Sequence, residues 1–515
     1  MSRCGKYFCY FQHNQLQSIL LYVKKHDMDP ELQVKQRERV RYMHLQEWIG
    51  IFNEKWYLML IFVLAAVGIY FSIRTGFVQI TAIGETFRIL TGKDVRKSSS
   101  KDKKDKGVSS FQAFMMSTAS RVGTGNMAGV AIAISVGGPG AVFWMWLIAV
   151  IGAASAFIES TLAQIYKVRD GKTFRGGPAY YMEKALNARW LGIIFAILIT
   201  VSFGFVFNSV HSNTASAAFQ ELFDVNPIVM GIILSVLVVL TIFGGVQRIA
   251  KVSAIVVPVM ALAYIAMALV VMIMNMDQIP AVIGTILRNA FGIEEAVGGG
   301  LGAAVMNGVK RGLFSNEAGM GSAPNAAATA TVSHPVKQGL IQSFGVFVDT
   351  LLVCSATAFI ILLSGVHESG VADGILMTQH ALASQFGGWA NYFVGFAIFL
   401  FAFSSLIGNY YYGQSNIEFI TKKPGWMLAY RIGVVAMVLF GSVAKITLVW
   451  DMADMFMGFM ALINLVVIMI LGKFAFQSLH DYKEQKKHGA EPVFYADTIP
   501  GLKHAECWER PVEKS

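Results

Sequence analysis

Two short polar runs in this chain could do chemistry. "SRVGTGN", residues 120–126, lies between the apolar stretches "FQAFMMSTA" and "MAGVAIAIS". "SNEAGMGS", residues 315–322, lies between a glycine-laden apolar segment that starts at Ala296 and the small apolar residues Ala323 to Val332. Each run places two glycines beside an asparagine, and the second adds a carboxylate, Glu317. Glycine inside a helix costs about 1 kcal/mol relative to alanine, so both runs are places where a helix can come apart. In hydrocarbon an unwound turn strands amides and carbonyls, each at several kcal/mol, and it persists only where it lines a protein cavity. The pattern therefore predicts two interrupted spans whose polar residues line a solute site near the middle of a membrane.

The elements that must position these runs follow from composition. Of 515 residues, 55% are hydrophobic and only 14% charged, and the mean hydropathy is +0.53. Soluble domains carry roughly 25% charged residues. Apolar runs long enough for a bilayer core of about 30 Å recur along the whole chain. They predict an all-α polytopic membrane protein of about eleven spans, near 56–74, 111–135, 140–166, 190–222, 227–245, 252–274, 297–331, 338–364, 389–420, 428–446 and 452–476. Long alternating strands, which a membrane barrel needs, are missing from the sequence. Basic loops such as "KDVRKSSSKDKKDKG", "KVRDGKTFRGG" and "TKKPG" alternate with acidic or uncharged ones such as "QELFDVNP", "HESGVADG" and "VWDMAD". Basic loops stay cytoplasmic, which puts the chain end inside and the start of the first span outside. The net charge of +10 is thereby accounted for without a nucleic-acid partner. The four cysteines show neither paired nor metal-type spacing.

Counting from each interruption gives two sets of five spans, 111–274 and 297–476. Five is odd, so the second set crosses upside down. Matching glycine-interrupted helices in inverted halves are a sequence pointer to the binding site of a secondary transporter. The expected organisation is a lead-in at 1–55, a transporter domain at 56–476 and a cytoplasmic tail at 477–515. Residues 1–42 carry "KK" and "VKQRERVRY", which would have to be exported. "MHLQEWIGIFNEKW" from Met43 is a natural amphipathic approach to the first span, so Met43 is the expected translation start. No HExxH, GxSxG or Cys/His metal cluster is present, which argues against an enzyme, and neither a repeated filter nor a continuous polar pore supports a channel.

The runs "SRVGTGNMAGVA", "RGGPAYYMEKAL", "KRGLFSNEAGMGSAPNAAA" and "FSSLIGNYYYG" resemble the alanine/glycine:cation symporter family over about residues 43–475. The resemblance implies sodium-coupled uptake of small neutral amino acids. It also implies the inverted 5+5 fold of the bacterial leucine transporter with one extra leading helix, in a bacterial plasma (inner) membrane. A monomer in contact with bilayer lipid is the expected state. A zwitterionic substrate needs amides for its carboxylate, which a half-helix start at Thr124, Gly125 and Asn126 offers. It needs carbonyls for its ammonium, available near Phe314, Ser315 and Asn316. Laying "VGTGN" on the leucine-transporter turn places a Na+ ion against the carbonyls of Ala119 and Val122, completed by Ser404 and Ser405.

Ionisable residues within spans each call for a role and a partner. Glu317 could attract the ammonium, serve cation coupling or bond the freed amides of its own turn. Arg121 could pair with Glu317, with Glu159 or with Asp349, and the sequence does not choose. Lys310 and Arg311 are expected at an aqueous vestibule. His211, in "FNSVHSNTASA", stands where the family pattern has Gln, and Gln414 where it often has Glu. If His211 lines the pocket, its ordinary pKa near 6.5 makes binding sensitive to pH. That departure keeps a second reading in play: a proton-coupled or exchange carrier for another small amino acid.

Overall fold

In a computed structural model of the chain, residues 30–92, 107–171, 173–292, 300–370 and 374–510 are described, with side chains from Trp48 onward. Two units are distinguished, residues 1–55 and 56–515. In the first, the backbone is helical from Pro30, where α1 (Pro30–Thr75) begins. The expected Met43 start therefore falls on helical backbone, while residues 1–29 of the expected extension lie outside the described residues, as does the basic loop at 93–106.

Eight helices among the described residues are long and apolar enough to cross a bilayer. They are the end of α1; α4 (Ala141–Ile165); the pair α5 and α6 (Arg189–Ile199 and Asn208–Phe223), joined by a π-helical turn at Thr200–Phe207; α8 (Gly245–Met274); the pair α11 and α12 (Pro335–Phe347 and Ser355–Ser364), joined by a π turn at Val348–Cys354; α13 (Trp389–Ile420); α14 (Pro424–Val443); and α15 (Ile446–Lys487). Three expected spans differ. One is α7 (Pro227–Ile242), only 16 residues, or about 24 Å of helix. The other two are split at the runs singled out above: α2 (Ser110–Arg121) and α3 (Val130–Gly137), then α9 (Gly300–Asn316) and α10 (Ala323–Ala327). The last helix runs on to Lys487, past the expected end of the span at 476.

Local sequence explains the boundaries. Ser109 caps α2 by accepting from the Gln112 amide at 3.2 Å, while the Gln112 side chain accepts from the Ser109 amide at 3.0 Å, a reciprocal capping box. Proline at the first turn starts α7 and α14, where no amide partner is needed. With no hydrophobic drive between spans in lipid, close packing through small residues holds the bundle. Where α4 meets α11, a Cβ at Gly339 would stand 2.1 Å from Thr161 Oγ1, and Ser343 Oγ donates to the Ala153 carbonyl at 2.8 Å. The outward face of α8 keeps Ile255, Val259, Leu262 and Ile273 exposed, as a lipid-facing helix should. Val168–Asp170 and Thr173–Arg175 form a small antiparallel hairpin, β1 and β2, after α4.

His334 fixes the start of α11. Its Nδ1 accepts from the Val336 amide at 3.2 Å, so Nε2 carries the proton and faces Asp481 Oδ2 at 3.1 Å. Burial pushes its pKa below the ordinary histidine value, with Asp481 opposing. The neutral ring is therefore part of the fold. Its stabilisation is present above the unfolded-state pKa of about 6.5 and is lost as pH falls towards the lower folded value. Acidification from pH 7.5 to 5 should weaken the native protein by about 1 kcal/mol through this cap. In His334→Asn, which caps without titrating, the pH slope of thermal unfolding in detergent should be shallower by that amount.

Candidate functional site

At the first interruption α2 ends on Arg121, and Val122 and Gly123 leave the helix before a π turn, Gly125–Gly129, leads into α3. Asn126 closes the gap. Its Oδ1 accepts from the Gly123 amide at 2.7 Å, and its own amide donates to the Gly123 carbonyl at 3.2 Å. Its Nδ2 donates to Ser315 Oγ at 2.9 Å and to Asp349 Oδ1 at 2.6 Å. Ser315 Oγ and Thr350 Oγ1 donate to the other Asp349 oxygen at 2.7 and 2.9 Å. One asparagine thus caps its own break and ties it to the end of α9 and to the π turn after α11. The Gly125 backbone also packs against a ring at the end of α9: a Cβ at Gly125 would lie 2.7 Å from Phe314 Cδ1. Thr124 Oγ1 is 2.8 Å from His211 Nδ1, and the buried His211 Nε2 has no hydrogen-bond partner among the described residues.

The second interruption spans Glu317 to Ser322, with Glu317, Gly319 and Gly321 at φ of 56°, 81° and 80°. Only glycine adopts that region at little cost, which accounts for two of the three residue types. The freed amides are taken by a residue from another helix. Glu159 of α4 accepts from Gly319 N at 3.2 Å and from Gly321 N at 3.0 Å. Asn464 of α15 donates its Nδ2 to Glu159 Oε2 at 2.7 Å and to the Gly319 carbonyl at 2.9 Å, and Tyr181 donates to the Asn464 amide oxygen. Asn316 Oδ1 accepts from Ala318 N at 3.0 Å. Glu317 bonds no amide of its own turn. Its two oxygens accept from Ser120 Oγ and Ser322 Oγ, each at 2.5 Å, and so bridge the two breaks.

The expected sodium ligands are only partly assembled. Ser405 Oγ lies 3.0 Å from the Ala119 carbonyl, and a Cβ at Gly123, next to Val122, would come 2.1 Å from that hydroxyl. Ser404 faces elsewhere: its hydroxyl donates back to the Phe401 carbonyl at 3.0 Å and touches Met260 Sδ. Arg121, 2% exposed, pairs with none of its three expected carboxylates. Its Nη1 donates to the Gln342 carbonyl at 3.0 Å, and the buried Nε and Nη2 have no hydrogen-bond partner among the described residues. Lys310 and Arg311 do not face water. Both are buried against Asp454, Arg311 as a direct ion pair and Lys310 at 3.7 Å.

Sequence reasoning missed the cover on this side of the site. Phe207, Phe314 and Trp450 stack in series, each neighbouring pair 4.6 Å between centroids. The Arg311 guanidinium sits 4.6 Å over the Trp450 ring. "VWDMAD" reads as a loop, yet it belongs to α15 and begins that helix. Trp450 and Asp454, four apart, share a helix face, and that spacing was the available signal.

Broken helices knotted to each other at the centre of a helical bundle, with ionisable side chains bound to them, define a membrane carrier. The chain belongs to the sodium:alanine symporter family, whose family model matches residues 42–496. It is 58% identical over 450 residues to the amino-acid carrier protein AlsT of Bacillus subtilis, covering 87% of this chain and 95% of that protein. To the probable sodium/glutamine symporter GlnT of the same organism it is 55% identical over 465 residues, covering 90% and 96%. Its fold is similar to that of a manganese transporter from Eremococcus coleocola, with a TM-score of 0.51 at 13% identity over 75% of this chain and 89% of that one.

Glu159 should be the residue the second break can least spare. Glu159→Ala leaves two amides and one of the two Asn464 Nδ2 hydrogens buried without an acceptor, at a cost of about 3 kcal/mol or more. Glu159→Gln keeps one acceptor but points an N–H at donors. Thermal unfolding in detergent should show both variants destabilised, Ala the more.

Proposed function

We propose that this chain is a sodium-coupled symporter that imports small neutral amino acids, alanine or glycine first among them, by alternating access. The observation that supports this most is the joint between the breaks: Asn126 from one and Ser315 from the other are bonded at 2.9 Å, both buried. Eleven spans, counting the two broken ones and the short α7, and a 5+5 inverted arrangement behind one leading helix, are part of the same proposal.

The half-helix beginning at Gly125 directs its positive end at the joint, and the substrate carboxylate is held there by the backbone of Thr124, Gly125 and Asn126. The ammonium meets carbonyls at the end of α9, at Phe314, Ser315 and Asn316. His211, already bonded to Thr124, keeps Nε2 free for the substrate. Na+ requires hard oxygen donors. The Ala119 and Val122 carbonyls at the end of α2 and the Ser405 hydroxyl supply them, and Ser404 is left out. Bound sodium then orders the first break, and through Asn126 and Glu317 it orders the second. Substrate tightens sodium by the same factor that sodium tightens substrate. Phe314, Trp450 and the Arg311–Asp454 pair form the cover on one side of the site, parting when the carrier opens there.

Alanine uptake into proteoliposomes, with sodium and proton gradients imposed separately, tests the reading. Uptake should follow the sodium gradient and ignore the proton gradient. A proton-driven or gradient-independent exchange signal would overturn it. Among variants, Ser405→Ala should raise the sodium concentration for half-maximal uptake by about tenfold, the loss of one charge-assisted contact. Ser404→Ala should stay within about twofold of the parent protein, as its hydroxyl only bonds back along its own helix.

A further inference from the structure

The segment after α15 returns to the bundle and docks at two places on the basic-loop side. The first lies beside the second break. Beyond α10 the chain passes Ala330, whose carbonyl accepts from Gln164 Nε2 at 3.1 Å and from Lys167 Nζ at 3.0 Å, while Gln164 Nε2 also reaches the Ala327 carbonyl at 2.5 Å. These contacts hold the far end of the broken helix against the end of α4. The tail lies directly over them. Trp508 Nε1 donates to the Gln164 carbonyl at 2.8 Å, and the Lys167 ammonium sits 4.6 Å over the Trp508 ring. Cys507 Sγ donates to the Lys167 carbonyl at 3.2 Å, and Glu506 pairs with Lys184 at 2.6 Å.

The second place is the connection into α11. The Phe494 amide donates to the Ser333 carbonyl at 3.0 Å, and Ser333 Oγ donates to the Pro492 carbonyl at 2.8 Å. Glu491 pairs with Lys337 at 2.5 Å, and the Phe494 ring stands 5.1 Å from His334. Phe494 and Trp508, 2% and 7% exposed, pack edge to face at 5.4 Å, so the two docking points are joined through one small aromatic core. One anchor belongs to the α4–β1 connection and the other to the segment that follows the second break. The tail bridges the seam at which the Ala330 carbonyl meets Gln164 and Lys167.

We propose that residues 491–508 act as a built-in strap that pins the segment after the second break to the end of α4 and restrains opening of the central site on the cytoplasmic side. The proposal rests on the carrier reading above, and it assigns the tail a regulatory role that solute binding does not require. Lifting the strap frees the seam, so weakening its anchors speeds the opening step and with it uptake.

Two readouts test it in proteoliposomes of the full chain. The first is alkylation of Cys507 by N-ethylmaleimide, followed at that peptide by mass spectrometry. The second is the initial rate of sodium-driven alanine uptake. Lys184→Glu should speed alkylation by up to about fivefold, the scale of a partly exposed ion pair. Trp508→Ala, which removes a buried aromatic anchor, should speed it by more than about tenfold. Uptake should rise in both, and Lys184→Glu with Glu506→Lys should restore both readouts. Unchanged alkylation in both single variants would overturn the strap, and so would faster alkylation with uptake flat or reduced. Absence of sodium-driven uptake in the parent protein would overturn the carrier reading instead, and Cys507 alkylation would still report docking.

Discussion

The whole arrangement depends on how a broken helix is tolerated in hydrocarbon. Backbone amides freed at Gly319 and Gly321 have no water to turn to, and only a side chain from elsewhere can receive them. Glu159 does so with both oxygens, and Asn464 secures it from the opposite side. A carboxylate from α4 and an amide from α15 are thereby committed to the shape of a turn on α9 and α10. Once that commitment exists, Ser315 and Asn316 are held in the interior of the bundle.

The first break solves the same problem by a different route. Asn126 satisfies the gap from within, and its remaining donor group reaches across to Ser315 and Asp349. Glu317 adds a second link by accepting from Ser120 and Ser322 at once. The breaks are therefore mechanically one object, and a disturbance at either is felt at the other. On the proposed reading, an ion at α2 is coupled to a solute at α9 through this contact, with no longer pathway. Among the described residues, π turns stand at Gly125–Gly129, Thr200–Phe207 and Val348–Cys354; Asn126 of the first bonds Asp349 of the third and Phe207 of the second packs on Phe314, and π-helical irregularities are frequent at functional sites.

Different chemistry flanks the two breaks. On one side three aromatic rings and a buried ion pair form the cover, apolar enough to exclude water and charged enough to hold register. On the other, backbone carbonyls of the segment after α10 are held by Gln164 and Lys167 beneath the tail. Parting the Ala330 carbonyl from Lys167 uncovers one charged group, whereas parting Arg311 from Asp454 exposes two ions that must be rehydrated.

The interruptions, the apolar spans and the alternation of basic loops were legible in the sequence, because each rests on local composition: glycine weakens a helix wherever it stands, and hydrocarbon demands about twenty apolar residues in a row. The meeting of Asn126 with Ser315 was within reach for the same reason, as both residues sit inside marked breaks. Partner choice was not. Of the roles open to Glu317, bonding the amides of its own turn is the one it does not take, because the Gly319 and Gly321 amides are already claimed by Glu159, 158 positions earlier in the chain. Arg121 had three carboxylates to choose from and went to a carbonyl, and of the two adjacent serines only Ser405 faces the Ala119 carbonyl. Those outcomes are decided by which helix faces are pressed together, and a one-dimensional pattern fixes what each face carries but not which face it will meet.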